Sequence, residues 1–74
     1  MSAPVTRLHQ ARQEMRRAVL AAMLADYEPD FAAKFDAWKA VDDAAIAVAA
    51  ARRRYDRHVR DLTKRANLAA GDRL

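Results

Sequence analysis

From Asp30 to Ala70 the chain runs without a single glycine or proline. Such a stretch, rich in alanine and arginine, predicts one helix of roughly 40 residues, far beyond the usual length of about 11–12. The rest of the chain has to be arranged around this rod. Its first part carries Phe31, Phe35 and Trp38, three of the five aromatics. Its second part carries Arg52, Arg53, Arg54, Arg57, Arg60, Lys64 and Arg65.

Ahead of the rod a shorter helix is expected over about residues 4–26. Ser2 can cap it, and Pro4 is tolerated in a first turn. Leu8, Ala11, Met15, Val19 and Ala22 recur at steps of three and four, the spacing of one helical face. Leu20, Met23, Leu24 and Tyr27 widen that face towards its end. Asp26-Tyr27-Glu28-Pro29-Asp30 is the strong break. Pro29 disfavours the α conformation at Glu28 and suits the first position of a new helix. Glu28 and Asp30 complement that helix's dipole. The expected layout is a turn at 27–29, a second helix over about 30–70 with Gly71 as its C′ residue, and a frayed tail at 71–74. So short a link predicts an all-α, antiparallel two-helix hairpin with a long second helix.

The second helix shows a heptad-like seam. It begins with Phe31, Trp38, Val41, Ala45 and Val48 and continues through Tyr55, Val59, Leu62, Ala66 and Ala69, with gaps at Lys34 and Arg52. A repeat of 3.5 residues predicts a left-handed supercoil. Phe35, Ile46 and Ala49 broaden the first half. Phe31, Phe35 and Trp38 are expected in the core, against Leu20, Met23 and Leu24.

At 74 residues the chain is short, and a domain of this size is marginal by itself because it buries only about 60% of its unfolded surface. Nineteen of its apolar residues are alanine, which add little burial each. There is no cysteine, so disulfides and thiolate metal sites are excluded. Small scaffolds without such staples often oligomerise. A homodimer with a coiled-coil-like, four-helix arrangement is therefore expected. The apolar run from Ala18 to Ala25 is too short to span a bilayer, and no basic start followed by an apolar core marks a signal peptide. A cytoplasmic protein with no membrane partner is the expectation. Eleven arginines against three lysines, with so much alanine, point to a bacterial or phage source.

Charge is segregated along the chain. Residues 1–25 carry four arginines against Glu14; residues 26–43 carry six acids against Lys34 and Lys39; residues 44–74 carry eight bases against three acids. Folded as a hairpin, this makes an acidic turn and a basic open end. Arg53, Arg57, Arg60 and Lys64 form one stripe on the second helix, flanked by Arg54 and Arg65. Such a stripe suits an acidic protein partner or the phosphates of DNA or RNA. Asp56 and Asp61 are placed to neutralise part of it through neighbouring bases. No helix-turn-helix, zinc-finger or RNP-type pattern accompanies it.

Arg12 and Asp42 occupy comparable inward positions on the two helices, and a pair between them is expected to set register. Arg52, Tyr55, Val59 and Leu62 are the further candidates for contacts between copies. For chemistry the chain offers little. His9 and His58 are isolated, Asp42 and Asp43 point to different faces, and Ser2, Thr6 and Thr63 have no base arranged nearby. No enzyme activity, cofactor or metal is expected. The composite expectation is a non-enzymatic helical protein–protein interaction module, a small regulator, adaptor or inhibitor acting as a dimer. The alternative is a small basic nucleic-acid-binding protein that contacts the phosphate backbone.

Overall fold

The computed structural model describes residues 3–71. Two helices account for nearly all of them: α1, Pro4–Ala25, and α2, Phe31–Gly71. Pro4 opens α1, where its missing N–H costs nothing. At the other end the N–H of Asp26 donates to the Ala22 carbonyl at 3.1 Å, and Tyr27 and Glu28 follow with shorter-range bonds to Leu24 and Ala25. These tightened turns satisfy carbonyls that a helix end otherwise leaves free.

The start of α2 is set by Asp30. Its Oδ1 accepts a hydrogen bond from the Ala32 N–H at 2.9 Å, the geometry of an N-cap. Pro29 therefore stands outside the helix, where it stops α1 from continuing, and is not its first residue. Gly71 is still helical and has no positive φ, so it does not act as a left-handed cap. The expected Ser2 cap and the tail at 72–74 lie outside the described residues.

The helices fold back on each other. Leu8 near the start of α1 lies beside Tyr55 of α2, and Asp26 at its end lies beside Trp38, so the pair is antiparallel. The buried line on α1 runs through Leu8 and Ala22, with Ala11, Met15, Ala18 and Ala25 half-buried between and beyond them. On α2 it runs through Val41 and Ala51, with Lys34, Ala37, Ala44, Val48 and Tyr55 half-buried. Both lines advance by alternating steps of three and four, as a coiled-coil seam requires. Lys34 belongs to this line through its aliphatic stem while its charge reaches water.

This seam differs from the expected one in one respect. Phe31, Phe35 and Trp38 are 77%, 60% and 42% exposed, and Leu20, Met23 and Leu24 are also exposed. Alanines take their place in the contact. A two-helix hairpin has only one seam, and small side chains let the axes approach until dispersion contacts are made along its length. A tryptophan or phenylalanine there would hold the axes apart.

The molecule measures 68 × 18 × 14 Å with a radius of gyration of 18.7 Å. A compact chain of this length would have roughly 11 Å. Much of the difference is the far end of α2. Tyr55 is the last residue of α2 to be shielded by α1, and every residue from 56 to 71 is exposed. At 1.5 Å per residue this extension projects about 24 Å. Among the described residues no helix is long and apolar enough to cross a membrane.

Candidate interaction surfaces

In an antiparallel pair, the residue that follows each seam position falls on the same side of both helices. On α1 those residues include Arg12, Arg16, Val19 and Met23; on α2 they include Phe35, Trp38, Asp42, Ala45 and Ala49. Leu20, Phe31 and Ile46 border the same side. The Trp38 Nε1–H donates to Asp26 Oδ1 at 2.9 Å along it, joining the two helices. A hollow of about 490 Å³ runs along its α1 edge, lined by Arg12, Met15, Arg16, Val19 and Leu20. Further from the turn a second hollow of about 270 Å³ joins Val5, Leu8, His9 and Arg12 to Arg52 and Tyr55. One face of the hairpin body is thus apolar near the turn and basic towards the open end.

The rings on this face are ordered against one another. Phe31 and Phe35 stack with centroids 6.4 Å apart and planes inclined by 28°. Ile46, one helical turn or more beyond Trp38 and Asp42, is 67% exposed. Nothing among the described residues covers these side chains. Their line on α2 does not end at Ile46. By steps of three and four it continues through Ala49 into Arg53, Arg57, Arg60 and Lys64. The apolar face and the basic stripe are successive parts of one helical surface, a continuity that the sequence pattern allows but that an inward reading of the aromatics concealed.

The basic residues singled out in the sequence are all on the surface. Arg53, Arg54, Arg57, Arg60, Lys64 and Arg65 are exposed, and none forms an ion pair among the described residues. The ion pair present is Arg52 Nε to Asp56 Oδ2 at 3.8 Å, between side chains 62% and 51% exposed. A solvated pair of this kind contributes little, about 0–1 kcal/mol. Asp61 has no ion-pair partner among the described residues. Thr63 Oγ1 donates back to the Val59 carbonyl at 2.9 Å, so its hydroxyl is engaged with its own helix.

Arg12 and Asp42 do not pair. Both are exposed, because both follow a seam position and look out from the broad face. The four remaining candidates divide by position. Tyr55 is half-buried at the end of the seam, Val59 and Leu62 are 40% and 49% exposed on its uncovered continuation, and Arg52 borders the second hollow. Among the described residues no three His, Asp or Glu side chains cluster to hold a metal ion.

No family model, no curated protein and no solved structure matches the chain. Its surfaces are what bear on function.

Proposed function

We propose that the chain is a non-enzymatic helical protein–protein interaction module, a small cytoplasmic regulator, adaptor or inhibitor of bacterial or phage type. It acts as a dimer, and it holds an acidic protein partner through the basic extension of α2. The observation that carries this reading is the inversion of its apolar residues. Among the described residues the four buried side chains are Leu8, Ala22, Val41 and Ala51, whereas Phe31, Phe35, Trp38, Ile46, Leu20 and Met23 stand outside. Contiguous exposed apolar surface rimmed by charge marks an association surface. Tryptophan and arginine are the residue types that concentrate binding energy in such surfaces.

A second reading rests on a separate observation. Arg53, Arg57, Arg60 and Lys64 are exposed, aligned and free of ion pairs among the described residues, which suits a phosphate backbone. One pair of experiments separates the two. Immobilised chain is exposed to nuclease-treated bacterial lysate, and purified chain is titrated with generic duplex and single-stranded nucleic acid at low salt. A stoichiometric protein ligand, retained after nuclease and lost from the Arg53→Gln, Arg57→Gln, Arg60→Gln variant, is the expected result. Salt-sensitive retardation of nucleic acid without any such ligand would replace the first reading by the second.

A further inference from the structure

We propose that the apolar face of the hairpin body is covered by a second copy of this chain, stacked face to face and reversed end for end. The two basic extensions of α2 then leave a four-helix body from opposite ends. This rests on the interaction-module reading above and assigns the body of the hairpin to self-association, leaving the extensions for a foreign partner.

Area selects the body over the extension. Leu20, Met23, Phe31, Phe35, Trp38 and Ile46 are between 42% and 77% exposed. Together they present on the order of 700 Å² of side chain. That exceeds the ~300–600 Å² of the largest patch on an ordinary monomer and approaches the ~800 Å² that each partner buries in a standard interface. On the uncovered continuation of the seam the extension offers only Val59 and Leu62 as large apolar residues, and Leu68 lies on its other side. A copy seated there would bury far less.

Charge selects the orientation. Two-fold symmetry allows two ways of stacking this face on itself. With the axis parallel to the helices, both turns fall at one end, and Asp26, Glu28 and Asp30 meet their own duplicates. The two basic extensions then run side by side. Both juxtapositions are repulsive. With the axis across the helices, one copy is reversed. Centred on the apolar face near Trp38 and Asp42, that operation brings Asp30 of each copy within about one helical turn of the level of Arg12 and Arg53 of the other, while Asp26, held by Trp38, stays near the axis. It also matches side chains by size, since Phe31 and Phe35 come level with Ala49 and Ala45 of the second copy.

Because the chain lacks cysteine, single cysteines report this arrangement without background. His58 is exposed on the extension and makes no side-chain hydrogen bond among the described residues. His58→Cys is labelled with a nitroxide and the separation between copies is measured by pulsed dipolar spectroscopy. The reversed dimer places the labels on the order of 50 Å apart. Labels within about 20 Å would establish the parallel stacking and overturn the proposal. Sedimentation equilibrium of the unmodified chain gives the second readout. A dimer that dissociates on the order of a hundredfold more readily in Phe35→Glu, with unchanged helicity, is expected. Leu68→Glu on the extension should leave the dimer intact. A monomer at high micromolar concentration would overturn the proposal. If that monomer still retained a stoichiometric protein ligand through its arginines, the interaction-module reading would stand without it.

Discussion

The indole N–H of Trp38 donates to the carboxylate of Asp26 at 2.9 Å, tying α2 to the end of α1 across the turn. It is the one side-chain hydrogen bond between the helices among the described residues. It holds the large ring at the edge of the seam, where one side rests on the hairpin and 42% of the residue stays open.

Removing either partner should therefore loosen the turn end. Asp26→Ala and Trp38→Phe are each expected to lose about 1 kcal/mol, at the weaker end for a charge-assisted bond because both groups reach water. For a domain of this size that is a fall of roughly 4–8 °C in Tm. Thermal melts at fixed protein concentration measure it, since any self-association shifts the midpoint. The double variant should lose less than the sum of the two, with a coupling of about 0.5–1 kcal/mol. Strict additivity would show that the bond contributes nothing.

Asp30 is the second handle on the turn. Its carboxylate caps the first free N–H groups of α2. Asp30→Ala should cost about 1 kcal/mol, and Asp30→Ser should recover most of it, because a hydroxyl oxygen also caps. Urea unfolding of the two variants side by side decides whether capping or charge is responsible.

Ala22 is fully buried in the seam, at 0% exposure. Ala22→Leu adds volume to this fully buried position in the seam and should destabilise by about 1–3 kcal/mol. A circular dichroism melt should show a helical but less stable chain. A gain in stability would mean that the helices are not in close contact there.

The extension should be the least protected part of α2. Its sixteen residues, 56–71, are all exposed and lack the seam contacts of residues 37–55. Backbone amides around Leu62 are expected to exchange with deuterium roughly a hundredfold or more faster than those around Val41. Leu62→Ala should change stability by no more than about 0.5 kcal/mol. Equal protection along α2 would reveal a cover over the extension, contrary to the stacking proposed for two copies.

Much of the architecture was legible in residue order. The absence of glycine and proline from Asp30 to Ala70 prescribes one long helix, because every residue in it tolerates helical backbone. Asp26 to Asp30 prescribes the break, and five linking residues leave an antiparallel return as the simplest path. Separation of charge into an acidic turn and basic ends follows from those two facts alone. The exposure of Arg53, Arg57, Arg60 and Lys64 follows from their spacing.

What only the tertiary structure decided is which side of each helix faces inward. On α2 the apolar arc is wide, spanning both the line of Ala37, Ala44 and Ala51 and the line of Phe31, Phe35 and Trp38. Periodicity marks the arc but not the direction within it, and counting hydrophobic volume favours the aromatic line. Packing of two helices with no third layer favours the other. Contact along a single seam is densest where side chains are smallest, so the alanines meet and the rings turn outward. That choice carries Asp42 and Arg12 to the surface and converts an expected core into an exposed face.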